Sequence, residues 1–114
     1  MIAKFKDAFR GLGFALKDHS VRIQVFLGLC AVIGGIVIKL SYLEWLCFII
    51  CIGIVITAEI LNTAIERLAD FVEPNQNEKI GYIKDLSAGA VLAASLMSLL
   101  VCILAVIRRI MEVI

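Results

Sequence analysis

Residues 46–70 read L-C-F-I-I-C-I-G-I-V-I-T-A-E-I-L-N-T-A-I-E-R-L-A-D, an uncharged run that passes without interruption into a segment where acids and an amide return at regular intervals. Glu59, Asn62, Glu66 and Asp70 follow one another at steps of 3, 4 and 4 residues. At about 100° per residue they fall within an arc of roughly 80°, a single polar stripe on an apolar rod. A carboxylate at membrane depth costs about 2.5–3.5 kcal/mol on insertion scales, so by default it faces a bundle interior and marks a functional site. Several acids and an amide on one face point to a bound cation. The competing reading has the helix leaving the membrane near Glu66, with its last turns solvated and Asp70 an ordinary surface residue.

The rest of the chain agrees with a membrane setting. Of its 114 residues 62% are hydrophobic, against about 45–50% in soluble domains, so the bilayer is its main solvent. One integral membrane domain over residues 1–114 is expected. The net charge of +1 leaves no large basic surface for nucleic acid, and partners are sought in the membrane. Cys30, Cys47, Cys51 and Cys102 lie inside apolar runs with no C-x-x-C pair and a single His in the chain. They read as buried small hydrophobes, not as a zinc site or a disulfide frame. The start, M-I-A-K-F-K, lacks an apolar core followed by a small-residue cleavage site, so the first span is expected to be retained as its own insertion signal.

Near the N-terminus, Ile2, Phe5, Phe9, Leu12 and Leu16 recur at steps of 3 and 4 while Lys6, Arg10 and Lys17 occupy a neighbouring ridge. Residues 1–17 therefore read as an amphipathic helix lying in the membrane surface. The basic ridge can snorkel to anionic headgroups or line a site for a polyphosphate, which makes Lys6 and Arg10 candidate phosphate ligands. Gly11 and Gly13 make no phosphate loop, because no strand precedes them and no G-K-[ST] follows. Asp18, His19 and Ser20 break the pattern. Asp18 or Ser20 can cap the next helix, and a metal-ligand role for Asp18 stands beside the cap.

The first span covers residues 21–40 and rises about 30 Å, just enough to cross. Gly28, Gly34 and Gly35 would let a neighbour approach it closely. Residues 41–44 are the only break before the second span, residues 43–71, and so short a turn makes a tight antiparallel pair. Tyr42 and Trp45 read as an interfacial aromatic belt. Glu73-Pro74-Asn75 stops that helix, and residues 73–79 form the one plainly aqueous loop. The third span covers residues 81–107; Lys84 and Asp85 open it, and Ala90, Ala94 and Ser98 form a small-residue stripe for a helix contact within or between subunits. Eight of the 11 Lys and Arg residues (Lys4, Lys6, Arg10, Lys17, Arg22, Arg67, Lys79 and Lys84) fall on one side of this topology, which makes that side cytoplasmic. The fold class is thus an all-α membrane protein, an amphipathic surface helix plus a bundle of three transmembrane helices.

Opposed spans bring Asp18, the Glu59–Asp70 stripe, Lys84 and Asp85 to one membrane face. Carboxylates with an amide suit Mg²⁺, which is usually held by one or two carboxylates, waters and substrate phosphates, and Lys84 adds a cation for phosphate oxygens. This is a phosphoryl-transfer inventory without a P-loop. A carboxylate held in an apolar bundle, as Glu59 is, can act as a general base. A small cation- or proton-coupled transporter or channel subunit would also keep glutamates inside a bundle. Against that reading stand Asn62 and Lys84 beside the carboxylates, the lack of an internal repeat, and the gathering of polar residues at one face.

At these residues the chain resembles the prokaryotic diacylglycerol kinase family, small three-span membrane enzymes that include the undecaprenol kinases. The signature E-x-x-N-[ST]-x-x-E-x-x-x-D is matched from Glu59 to Asp70 and is followed by K-D at Lys84 and Asp85 and a small-residue run over residues 87–91. The resemblance implies ATP-dependent transfer of a γ-phosphoryl group to the primary hydroxyl of a membrane lipid, undecaprenol or diacylglycerol. It also implies Mg²⁺, a bacterial plasma-membrane location with a cytoplasmic-face site, and a homotrimer whose sites are shared between subunits. Carried over by position, Glu59 is the general base, Glu66 and Asp18 are metal ligands, and Asn62 and Lys84 contact phosphate. Asp70 and Asp85 complete the nucleotide end. Asp18 stands where the family usually has Glu, one methylene longer. Thr63 and Ser87 are the candidate lipid contacts beside Glu59, and the A-G-A-V run at residues 88–91 is closer to the undecaprenol kinase branch.

Overall fold

The computed structural model describes residues 1–114 as four helices: α1 (Ile2–Ala15), α2 (His19–Ile38), α3 (Tyr42–Val72) and α4 (Glu78–Val113). Local chemistry sets each boundary. Asp18 caps α2, its carboxylate accepting from the Val21 N–H at 3.2 Å. At the other end of α2, Lys39 takes a left-handed conformation (φ 58°) so that the Leu40 N–H can return to the Gly35 carbonyl at 3.1 Å. Orphan carbonyls are satisfied in this way at many helix ends. Ser41 and Glu44 form a reciprocal capping box at the start of α3, with Ser41 N–H donating to Glu44 Oε1 at 2.9 Å. Pro74 ends α3 by forcing Glu73 into extended geometry (φ −145°, ψ 96°). Asn77 then caps α4, accepting from the N–H groups of Lys79 and Ile80.

These caps explain where the helices depart from the sequence expectation. α2 begins at His19, not at residue 21, because Asp18 and not Ser20 is the cap, and it ends at Ile38 because Leu40 folds back beneath it. α3 gains a residue at each end over the expected 43–71. α4 starts at Glu78, three residues before the expected 81, since the Asn77 cap lies inside the loop read as aqueous. It also runs past Arg108 and Arg109 to Val113, so its 36 residues span about 54 Å. That nearly equals the 56 Å long axis of the molecule and exceeds the roughly 30 Å of hydrocarbon, so both its ends reach beyond the apolar layer.

α3 is the central helix, packed on α2 along one side and α4 along the other. Gly28 and Gly35 let α2 come close. A Cβ on Gly28 would meet Ile52 at 3.0 Å, and one on Gly35 would meet Leu40 at 2.7 Å and Trp45 at 3.0 Å. Leu40, Phe48 and Ala105 form the core at the end distal to the polar stripe. Trp45 turns inward there, edge-on to Phe48 at 6.4 Å between centroids, while Tyr42 alone of the expected aromatic belt stays exposed. The same end is clamped by Arg108, whose guanidinium meets Glu44 through two bonds of 2.7 and 2.6 Å and also pairs with Glu112. Two parallel bonds of this kind fix orientation as well as distance.

Ser87, Ala94 and Ala105 are the buried positions of α4. Their spacing of 7 and 11 residues keeps them on one line, whereas Ala90 lies about 40° away from Ala94 and faces outward. Of the small-residue stripe, Ala94 and Ser98 therefore face the bundle and Ala90 does not. Cys30 and Cys47 are exposed on the outer face, and Cys51 and Cys102 are half-buried between helices, so only the second pair approaches the expected interior placement. α1 contributes no buried residue: Ile2, Phe5, Phe9 and Leu12, and Leu16 just past its end, all stay exposed. An amphipathic helix with its apolar face uncovered is suited to a membrane surface. The chain is an all-α membrane protein in which α2, α3 and α4 are long and apolar enough to span.

Candidate active site

The polar stripe of α3 is drawn together with the start of α2. Asp18 is the junction. Besides capping α2, its Oδ2 accepts from the Thr63 hydroxyl at 3.2 Å, and its Oδ1 meets Arg67 Nη2 at 3.4 Å. Loss of water pushes the Asp18 carboxyl upward. The Val21 N–H, the Thr63 hydroxyl, the Arg67 charge and the Ser20 N–H together outweigh that effect and hold it below the ordinary carboxylate value.

Glu59 is 6% exposed, buried on the inner face of α3. Gln24 and Asn62 are the amides nearest it, and Glu66 and Asp18 add negative charge in its surroundings. One turn on, Asn62 is buried too and donates its Nδ2 to Glu66 Oε1 at 3.0 Å. That bond fixes the amide's orientation, because a carboxylate can only accept. Asn62 Oδ1 is thereby left buried without a partner. A lone pair aimed into a site with nothing to receive it is rare in native structures and calls for a reason.

Glu66 is exposed at the rim, followed by Asp70, which pairs with Lys84 of α4. Ser87, one turn further along α4, is buried. Six of the expected residues, Asp18, Glu59, Asn62, Thr63, Glu66 and Asp70, thus form one continuous polar surface with Lys84 at its outer end. Three do not join it. Asp85 is exposed, Arg10 pairs with Asp7 on its own helix at 2.5 Å, and Lys6 is solvent-facing on α1. Two residues that the sequence reading left out border the site: Arg67, the counter-charge of Asp18, and Gln24, which stands on α2 across from the turn before Glu59. Gln24 had a signal, since an amide in a membrane helix needs an inward partner. Arg67 had none beyond its place next to Glu66.

No three His, Cys, Asp or Glu side chains converge into a closed metal cage. Mg²⁺ does not ask for one, being commonly bound by one or two carboxylates with waters and substrate phosphates. The donor set present, all oxygen and including the unpartnered Asn62 Oδ1 beside the Glu66 carboxylate, fits such an ion. Arg67 is 74% exposed on its side chain and so is free to yield Asp18 Oδ1.

Known proteins resemble this chain over most of its length. The sequence matches the prokaryotic diacylglycerol kinase family over residues 6–106. It is 33% identical over 101 residues to the undecaprenol kinase of Bacillus subtilis, covering 88% of this chain and 82% of that protein. It is 28% identical over 103 residues to a diacylglycerol kinase of Synechocystis, covering 89% of this chain and 59% of that longer protein. A buried glutamate, its amide neighbour and a lysine-paired acidic rim on a three-span scaffold agree with that match, and the chain belongs to the prokaryotic diacylglycerol kinase family of membrane lipid kinases.

Proposed function

We propose that the protein transfers the γ-phosphoryl group of ATP to the primary hydroxyl of a membrane lipid alcohol, undecaprenol in preference to diacylglycerol. The reaction runs at the cytoplasmic face of a bacterial plasma membrane. The observation that carries this reading is the depth gradient along α3, from buried Glu59 through Asn62 and Glu66 to the exposed Asp70–Lys84 pair. An apolar substrate with one hydroxyl and a highly charged one soluble in water can meet along such a stripe.

Glu59 takes the hydroxyl proton as the lipid oxygen forms its bond to the γ-phosphorus and the bond to the β-phosphate oxygen breaks, releasing ADP. The proton then leaves Glu59 for water. Asn62 and Lys84 hold phosphate oxygens, and Asp70 and Asp85 bound the nucleotide end. Thr63 and Ser87 border the lipid headgroup. Glu66 and Asp18 would hold Mg²⁺, which when bound supplies neutralisation of phosphate charge. Lys6 and Arg10 stand apart from the stripe of their own protomer. Their basic ridge suits the polyphosphate of a neighbouring site, in keeping with a homotrimer that shares its sites. The preference for undecaprenol is supported by the 33% identity to an undecaprenol kinase.

The test is transfer of labelled γ-phosphate from ATP in lipid vesicles offering undecaprenol and diacylglycerol separately. Label is expected in both lipids, with the higher kcat/KM for undecaprenol. No labelled lipid in either case would overturn the kinase reading for this chain. A higher kcat/KM for diacylglycerol would overturn the preference alone.

A further inference from the structure

Beneath Glu59, on the side away from Asn62, an apolar groove of about 380 Å³ runs between α2, α3 and α4. Val55, one turn before Glu59, lines it from α3, Gly28 from α2, and Ser95 and Ser98 from α4. Ligand pockets run from roughly 300 to 1,000 Å³, so this groove takes the first carbons of a chain and not a whole lipid. Gln24 is the longest polar side chain in its lining. The Ser98 hydroxyl is already directed to the Ala94 carbonyl at 2.9 Å.

The helix register determines where Gln24 points. Asp18 bonds Thr63 at 3.2 Å, and Gly28 lies against Ile52, so α2 and α3 run antiparallel with Gln24 opposite the turn between Val55 and Glu59. Helical side chains lean towards the N-terminus of their helix. On α2 that direction leads to Asp18 and the polar stripe, which brings the half-buried Gln24 amide up to face the Glu59 carboxylate. An amide at this depth has no water to turn to, and a polar group left unbonded in an apolar medium is costly.

We propose that Gln24 is a positioning residue for the acceptor, standing at the end of the apolar groove nearest Glu59. One amide N–H holds the Glu59 carboxylate in the rotamer that faces the lipid hydroxyl, and the other holds the hydroxyl oxygen where the groove delivers it. The hydroxyl proton passes to the Glu59 oxygen that Gln24 leaves free, and Gln24 keeps both of its protons throughout. Base and nucleophile are thereby set by one side chain, the kind of orientation whose loss slows a reaction without weakening the other substrate's binding. This inference rests on the lipid kinase reading and on Glu59 as its base.

The test uses the full chain in vesicles with ATP and Mg²⁺, comparing wild type, Glu59→Gln, Gln24→Met and Gln24→Glu. Met has similar length and volume, so the helix contact survives. Glu keeps the length but loses both donors. Both Gln24 variants are expected to lower kcat by about tenfold or more with KM for ATP unchanged, and by the same factor for a long-chain acceptor and a short-chain isoprenoid alcohol. Turnover of Gln24→Met within about twofold of wild type would overturn the proposal, as would a loss that vanishes with the short acceptor, which would mark mere groove lining. A parallel rise in KM for ATP would mark a general structural role and overturn it equally. Should Gln24→Met fail to assemble, retention of wild-type turnover by Gln24→Glu is the overturning result. An inactive wild type, or an active Glu59→Gln, would instead sink the kinase or base assignment, and this inference with it.

Discussion

Glu59, Glu66 and Asp18 occupy three different environments on one stripe, and each environment leads to its own prediction. Glu59 is buried on the inner face of α3 and is the proposed base, so Glu59→Gln is predicted to keep the fold and ATP binding while turnover falls about a hundredfold or more, the scale of a lost general base. Near-wild-type turnover in the vesicle assay would remove it from the chemistry. Glu66 sits at the rim beside the unpartnered Asn62 oxygen, so Glu66→Gln should shift the Mg²⁺ titration of activity to higher concentration. An unchanged titration would count against that ligand. Asp18 has a carboxyl held below its ordinary value, so the stability it adds is complete above that ordinary value and is lost as pH falls through the depressed one. Asn at the same position still caps α2. The difference in thermal stability between wild type and Asp18→Asn in detergent is therefore predicted to be constant near neutrality and to shrink only in strong acid. A difference that already shrinks near pH 6 would show that Asp18 is not so held. Of these three residues, Glu59 and Glu66 were legible from spacing only as members of one helix face. Asp18 was legible as a cap, but its bonds to Thr63 and Arg67 join residues 45 and 49 positions apart, and no local pattern encodes such a pairing.

At the level of helices, hydrophobic period and length sufficed to place all four elements, because a run of apolar residues long enough to span has few alternatives in a bilayer. Their ends were less legible, since a cap competes with its neighbours through geometry that composition does not show. Asn77 reads as loop until its side chain is seen to bond two free N–H groups. Glycine meaning was likewise only half visible: Gly34 and Gly35 look alike in sequence, yet only Gly35 lies against Leu40 and Trp45. Gly35→Ala is predicted to lower stability in detergent by about 1–3 kcal/mol, because Leu40 is itself locked in the core and cannot swing aside freely. Gly34→Ala, with nothing within 4 Å of its new Cβ, should be neutral or stabilising by up to about 1 kcal/mol through helix propensity. Equal effects of the two changes on the unfolding midpoint would contradict this packing.

For the molecule as a whole, burial is too small for a chain that stands alone: 12 of 114 residues are buried. The outward faces of α2, α3 and α4 must be covered by lipid, by further copies, or by both. Ala94 and Ala90 separate these cases, one facing α3 and the other facing out. Ala94→Leu is predicted to destabilise the protomer itself, by about 1–3 kcal/mol. Ala90→Leu should leave the protomer's helical content and unfolding unchanged and weaken the proposed homotrimer, by holding backbones apart where small residues let them meet. Sedimentation in detergent that finds the same oligomer for Ala90→Leu as for wild type would place that face against lipid.

The Arg108–Glu44 clamp lies at the opposite end of the bundle from the polar stripe. Arg108 and Lys84 are 24 positions apart on α4, about 36 Å of rigid arm. The far end is pinned by two charge-assisted bonds and the Leu40, Phe48 and Ala105 core, while at the near end the only salt bridge between α4 and α3 is the exposed pair Lys84 with Asp70. Such an arm is a lever with its pivot at the end of the bundle away from the proposed nucleotide site. A swing of about 5° at the pivot would carry Lys84 roughly 3 Å over that length, the difference between touching a phosphate oxygen and leaving room for a water between them.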